Sequence, residues 1–172
     1  MTEFEKYIQE YLNLIPSENW LEEMKIVSNQ TLEIYQSLTE EQSNFAYAEG
    51  KWTLKTLLEH LTDVEKIFHY RALRFARKDQ TELAGFDENQ YAENGTANQQ
   101  ELKNLIEEFH LNRLLSLVFF SKLNSEQLAQ TGKANGNEVS VETIGKLIVG
   151  HNIHHLNIIK ERYLHNLKFD LY

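Results

Sequence analysis

The sequence predicts an all-α protein, a four-helix bundle formed by one domain. Four long stretches place apolar residues at spacings of three and four, which is the pattern of a helix with one buried face. One proline and seven glycines interrupt the 172 residues, so few positions force a helix to end. The chain shows no convincing strand alternation, internal repeat or domain boundary, and residues 1–172 are therefore expected to fold as one unit.

The first part of the chain predicts two helices and a capped turn. A short helix is expected at about residues 3–15, where Pro16 ends it. Ser17 is the expected N-cap of the first long helix, whose apolar seam runs over residues 20–38. Residues 39–42, Thr-Glu-Glu-Gln, have the form of a capping box and predict a short turn of helix.

The middle of the chain predicts two more long helices and an irregular connection. The second long helix is expected over about residues 54–78, with Thr53 as its N-cap. Residues 79–97 show no sustained periodicity, which is typical either of a cover over a pocket or of an ordinary surface excursion. A capping box formed by Asn98 with Glu101 predicts the start of the third long helix.

The last part of the chain predicts the fourth long helix. Asn124 or Ser125 is expected to cap a short helical piece, and residues 133–138 contain an Asn-Gly pair that predicts a turn. Ser140 is the expected N-cap of the fourth long helix, which should end at about residue 164.

Charge and composition restrict the function. Seventeen basic against twenty-six acidic side chains give a net charge of −9, which disfavours nucleic-acid binding. The absence of cysteine excludes disulfides, Cys-ligated zinc and a protein thiol nucleophile. The N-terminus lacks the pattern of a signal peptide, and no apolar run approaches the roughly 20 residues of a membrane span. We therefore expect a cytoplasmic protein.

The clearest chemical signal lies at residues 150–159, where three of the seven histidines fall within five positions. His151 and His155 occupy the apolar seam of the fourth helix, whereas His154 lies on its flank and is expected to face solvent. Imidazoles four residues apart project from one helix face, so both can bind a zinc-like ion at about 2.0–2.1 Å. The alternative is that each is a buried histidine with its own hydrogen-bond partner.

A third ligand on another helix cannot be found from spacing. His60 lies about 70° from the centre of the apolar stripe of the second long helix, and His69 and His110 are competing candidates. Asp63, three residues after His60, is expected either to orient that ring or to be solvated. Three imidazoles on one ion would leave a position free for water or substrate, as in catalytic zinc sites.

Three stretches of the chain carry a family resemblance. The first joins residues 50–53 (Gly-Lys-Trp-Thr) to 57–63 (Leu-Leu-Glu-His-Leu-Thr-Asp), and the second joins 71–77 (Arg-Ala-Leu-Arg-Phe-Ala-Arg) to 85–89 (Gly-Phe-Asp-Glu-Asn). The third is 149–155 (Val-Gly-His-Asn-Ile-His-His). In their combined order, over about residues 20–164, they resemble the DinB/YfiT-like superfamily of metal-dependent enzymes.

The resemblance implies an up-down-down-up bundle that holds a divalent ion with three histidines. Carried over by position, the ligands are His60 from the second long helix and His151 and His155 from the last. Zinc and nickel are the favoured ions, and iron or copper also suits three imidazoles. Members of this superfamily include bacillithiol and mycothiol S-transferases and isomerases, and are often homodimers.

Two classes of function follow. The first is a metal-dependent enzyme with a small-molecule substrate, which either transfers a low-molecular-weight thiol onto an electrophile or hydrolyses its substrate with metal-activated water. The absence of cysteine is compatible with the transferase, because the sulfur would arrive with the cosubstrate. The second is a non-catalytic helical binding or dimerisation module. A homodimer is expected from the resemblance, and residues 167–172 alternate in polarity and could pack on the bundle or on a partner.

Overall fold

The computed structural model describes residues 2–167, most of which are helical. In chain order the elements are α1 (Glu3–Leu12), α2 (Trp20–Ser37), α3 (Glu40–Ser43), α4 (Leu54–Ala76), α5 (Glu88–Asn94), a 3-10 turn (Ala97–Gln99), α6 (Leu102–Ser121), α7 (Ser125–Ala129), β1 (Thr131–Ala134), β2 (Asn137–Ser140), α8 (Val141–Ile158), a π-helical continuation (Ile159–Leu164) and α9 (His165–Leu167). The long helices α2, α4, α6 and α8 form the bundle.

The directions of the long helices follow from the contacts between them. Hydrogen-bonded pairs advance in the same direction along α4 and α6, which makes these two helices parallel: Glu65 with Arg113, and His69 with Ser116. Contacts between α2 and α8 also rise together: Trp20 with Gly145, and Thr31 with Asn152. Contacts with α8 and its π-helical continuation run in the opposite direction: Trp52, just before α4, contacts Tyr163, and His60 within α4 contacts His155. The predicted up-down-down-up bundle is therefore confirmed.

Most of the predicted helix starts are confirmed by side-chain caps. The hydroxyl of Thr53 accepts from the backbone N–H of Thr56 at 3.1 Å, and that of Ser140 accepts from Thr143 at 3.1 Å. Thr39 forms the predicted capping box with its third residue, Gln42. These short-range bonds satisfy N–H groups that have no partner within the helix.

Two predicted caps are wrong. The N-cap of α2 is Asn19, not Ser17, and its side chain accepts from Glu22 N–H at 3.3 Å. The capping box of Asn98 with Glu101 does not form, because Asn98 lies in the 3-10 turn and its amide donates to Thr56 of α4 instead. The first N–H of α6 is satisfied by a distant carboxylate, that of Glu40, at 2.9 Å. A carboxylate distant in the sequence therefore caps α6 in place of the predicted neighbouring side chain.

A β-hairpin precedes α8, and the prediction that the chain has no strands is wrong there. Strands β1 and β2 pair antiparallel across Asn135 and Gly136, both of which have positive φ. The turn was predicted, but each flanking strand has four residues, too few for a convincing alternation. Leu83 adds a short parallel bridge to Ala134, so the segment 79–97 is anchored to the hairpin.

That segment is also more ordered than its sequence predicts, because it contains α5. The carboxylate of Asp87 caps this helix by accepting from the N–H groups of Asn89 and Gln90 at 2.9 and 3.0 Å.

Among residues 2–167, no helix is both long and apolar enough to cross a membrane. Of the C-terminal segment 167–172, residues 168–172 lie outside the described residues.

Candidate metal centre

Three histidines from two helices meet inside the bundle. His60 comes from α4, and His151 and His155 come from α8 one turn apart. Their Nε2 atoms form a triangle in which each of the three separations is 3.1 Å. His60 and His151 are buried and His155 is half-buried. The structure thus brings together the three residues that the family resemblance selects.

The spacing of these nitrogens suits a bound cation. Ligand atoms of a tetrahedral site with bonds of about 2.0–2.1 Å lie about 3.3–3.4 Å apart, close to the separations in this triangle. Hydrogen bonds alone cannot satisfy the group, since each Nε2 offers either a proton or a lone pair. Among three nitrogens in mutual contact, at least two must then be of the same kind, so that either two N–H groups or two lone pairs face each other. One cation shared by three lone pairs removes that conflict.

Burial keeps these imidazoles neutral. Desolvation lowers the pKa of His60 to about 4 and that of His155 to about 3. The pKa of His151 is well below the ordinary value, first because of burial and then because the other imidazoles lie nearby. At neutral pH all three rings therefore have free lone pairs, the form in which histidine binds a metal.

Aromatic side chains pack against two of the three histidines. Trp52, from the loop before α4, lies with its ring 4.8 Å from that of His60. Tyr11 from α1 lies 5.8 Å from the ring of His151 and 5.4 Å from that of His154. Gly150 permits this approach, because a Cβ there would lie 2.3 Å from the Tyr11 carbonyl oxygen. Helix α1 is thereby held close to α8 at the site.

The remaining candidates lie outside the cluster. His69 contacts the hydroxyl of Ser116 at 3.2 Å and packs on Phe119, and His110 is exposed. His154 is half-buried against Tyr11 and does not face solvent as fully as its position on the flank predicts.

Asp63 does not orient His60 in the described part of the chain. Its carboxylate lies 3.5 Å from Lys66 Nζ, one turn further along α4, and the side chain is 32% exposed. Asp63 is half-buried and paired with Lys66, so within the described residues it has neither of the two predicted roles, orientation of His60 or solvation. The Nδ1 atom of His155 is buried and has no hydrogen-bond partner among residues 2–167.

A buried ionic network next to the site was missed by the sequence analysis. Arg113 donates from Nε to both carboxylate oxygens of Glu65 at 2.9 and 3.0 Å, and from Nη2 to Asn152 Oδ1 at 2.9 Å. Its Nη1 also donates to the Met24 carbonyl at 3.1 Å, so the network joins all four long helices. Asn152, the neighbour of His151, then donates to Thr31 at 3.0 Å. The sequence does contain one indication of this network: Arg113 is a charged residue within the apolar seam of α6, four positions after the buried Phe109.

Two cavities flank the histidines. The larger, of about 350 Å³, reaches His151, and the segment 79–97 contributes Gly85, Phe86 and Glu88 to its wall. Residues 79–97 therefore form part of a pocket wall. Of the two roles predicted for this segment, a cover over a pocket and an ordinary surface excursion, this agrees with the first. The smaller cavity, of about 230 Å³, reaches His155. Both are concave spaces from which a small molecule could contact the cluster.

The fold and the site define a helical-bundle protein with a histidine cluster of metal-ligand geometry. A family model described as the DinB superfamily matches residues 23–159. The chain belongs to the DinB superfamily.

Proteins similar to the chain include one relative by sequence and one solved structure. A protein of Oceanobacillus iheyensis, named a putative metal-dependent hydrolase, is 30% identical over 147 residues, which cover 82% of each chain. The solved structure of YfiT from Bacillus subtilis matches with a TM-score of 0.77 and 17% identity, over 87% of this chain and 86% of that one. YfiT is described as a probable metal-dependent hydrolase with an unusual four-helix bundle topology, and at this identity the likeness supports the fold.

Proposed function

We propose that this protein is a metal-dependent hydrolase of small molecules, in which His60, His151 and His155 bind one divalent ion. The observation that carries the proposal is the triangle of Nε2 atoms, each 3.1 Å from the others, formed by imidazoles that burial keeps neutral. Three protein ligands leave part of the coordination sphere open, as in catalytic rather than structural zinc sites. Zinc or nickel is the proposed ion, with iron or copper as further candidates.

The chemistry would be divided between the ion and the chain. A bound ion of this kind lowers the pKa of a coordinated water or polarises a substrate oxygen. The chain supplies the ligands, and the rings of Trp52 and Tyr11 pack against those of His60 and His151. The cavities at His151 and His155 leave space for a substrate on either side of the cluster. The names of the two similar proteins support hydrolysis as the reaction class.

The test of this proposal is a screen of chromogenic esters and amides with the zinc- or nickel-loaded protein. We expect turnover without any thiol, loss of activity in chelator, and recovery when metal is returned. The His110→Ala variant should behave like the wild type, because this exposed residue lies outside the cluster. Turnover that requires an added thiol would contradict hydrolysis, and a metal-loaded protein without turnover would favour the non-catalytic binding module.

The thiol transferase is the second candidate, and one observation favours it. The smaller cavity at His155 is lined by two cations, Lys51 and Arg162, which suit an acidic thiol cosubstrate. Such a cosubstrate would supply the sulfur that this cysteine-free chain lacks. The cytoplasmic location and the lack of nucleic-acid binding stay predictions from the sequence.

We also propose that the protein is a homodimer that associates through α6. Four apolar side chains on this helix are 44–62% exposed, and their spacing of three and four places them in one strip: Leu111, Leu114, Leu115 and Val118. Contiguous exposed apolar surface marks interaction sites, and one strip can pair with itself about a twofold axis. The other faces of α6 are covered by α2 and α4.

Replacing Leu115 by aspartate is expected to convert the dimer to a monomer, because the charge would be buried without a partner. Size-exclusion chromatography with light scattering measures the change. Tyr91→Asp, an exposed aromatic on α5 outside the strip, should leave the dimer intact. A wild-type protein that is monomeric at all concentrations would contradict this proposal.

A further inference from the structure

The larger cavity contains the half-buried guanidinium of Arg71, which has no acidic partner among residues 2–167. Arg71 donates from Nη2 to the Ala84 carbonyl at 2.8 Å and lies over the rings of Phe68 and Phe86, 5.9 and 5.8 Å from their centroids. Within residues 2–167, no Asp or Glu forms an ion pair with it, whereas Arg74 and Arg113 each pair with a carboxylate. Most of its five N–H donors are therefore available to a ligand.

We propose that this cavity binds a small carboxylate with an apolar body, with the carboxylate on Arg71 and the other end of the molecule at His151. Arginine pairs with planar carboxylates through two parallel hydrogen bonds, which gives direction as well as affinity. The inference rests on the proposed function in one respect, since it places the reacting end of the substrate beside the histidine cluster.

The rest of the wall suits an apolar body. Apart from Arg71 and His151, the lining consists mainly of aromatic and aliphatic side chains, which include Phe4, Val64, Phe68, Ile144 and Leu147. Burial in these surroundings lowers the pKa of Arg71, which shows that its charge is poorly compensated by the protein. An anion entering the cavity would supply the missing compensation.

The helix geometry sets the shape of the ligand. His60 and Arg71 lie on the same face of α4, eleven residues apart, so their Cα atoms are separated by about 16 Å along the helix axis. The arginine side chain extends back toward the start of the helix and shortens that gap. A molecule that contacts both Arg71 and the cluster must therefore be elongated, with its carboxylate and its reacting group at opposite ends.

Glu88 is the acidic residue that lines the same cavity. It is exposed at the start of α5, and its charge acts on Tyr7, Tyr11 and His154. Among residues 2–167 Glu88 forms no ion pair with Arg71, and burial is the main influence on the pKa of Arg71, which it lowers. If Glu88 were the recognition group instead, the cavity would select a cation, and the experiment separates these two outcomes.

The experiment compares three probes of one shape and different charge: 3-phenylpropionate, 3-phenylpropanamide and 3-phenylpropylamine. Titration calorimetry on the metal-loaded protein should show that the carboxylate binds about tenfold more tightly than the amide or the amine, because a charged hydrogen-bonded pair forms. Arg71→Gln should abolish this preference, and Arg71→Lys should retain part of it. Arg77→Gln, an exposed arginine of the same helix end, should retain all of it.

Two further measurements keep the result independent of folding and of the metal. Thermal unfolding and metal content of Arg71→Gln should match the wild type. The carboxylate preference should persist in His60→Ala, because Arg71 and not the ion holds the carboxylate. Equal binding of carboxylate and amide by the wild type would overturn the proposal, as would a preference that survives Arg71→Gln and disappears in His60→Ala. Preferential binding of the amine, lost in Glu88→Gln, would also overturn it. Binding is measured without turnover, so these results are separate from the test of hydrolysis.

Discussion

Replacing Arg113 by alanine is expected to lower the free energy of unfolding by about 3–5 kcal/mol, the usual cost of breaking a buried ion pair. The side chains of Arg113 and Glu65 are each 2% exposed, so the substitution would leave a carboxylate buried without its partner. It would also remove the donors to the Met24 carbonyl and to Asn152. Urea denaturation of the metal-free protein measures the difference.

Two variants distinguish this cost from a general effect of removing charge. Lys66→Ala removes solvent-accessible ion pairs with Glu108 and Asp63 and should change the free energy of unfolding by less than about 1 kcal/mol. Arg113→Met combined with Glu65→Leu removes both buried charges and should recover most of the loss. An Arg113→Ala variant no less stable than Lys66→Ala would show that the network does not hold the four helices together.

Replacing His151 by alanine is expected to weaken zinc binding by more than about 100-fold, since loss of an orienting partner alone costs about 10–100-fold. The remaining two imidazoles could not surround the ion as three do. Competition with a chromogenic chelator at neutral pH measures the dissociation constant, under conditions in which the low pKa values of His60 and His155 keep these ligands unprotonated.

The control for this variant is His154→Ala on the same helix. His154 packs against Tyr11 and lies outside the Nε2 triangle, so its loss should change zinc affinity by only a few-fold. Equal affinities of the two variants would contradict the assignment of His151 as a ligand.

The fold could be predicted largely from local patterns. The apolar seams of the long helices and the caps at Thr53 and Ser140 depend on neighbours three or four residues apart, which the sequence displays directly. The same local periodicity places His151 and His155 on one face of α8. The two strands of the hairpin are four residues each, too short for such a pattern to develop.

The rest of the site depends on contacts between distant parts of the chain. His60 meets His155 across 95 positions, and spacing alone could not choose it over His69 or His110. The resemblance to known proteins made that choice, and the bundle geometry agrees with it. Arg113 and Glu65 are separated by 48 positions, and neither side chain specifies its partner in the sequence. A charge within an apolar seam indicates that a partner exists without identifying it.

Elemental analysis of the protein purified without chelator tests most directly whether His60, His151 and His155 bind a divalent ion. We expect about one ion per chain in the wild type and in His154→Ala, and little metal in His60→Ala and His155→Ala, because a catalytic-type site depends on all three of its protein ligands. A wild type that contains no divalent metal, or variants of His60 and His155 that retain as much metal as the wild type, would contradict the three-histidine site.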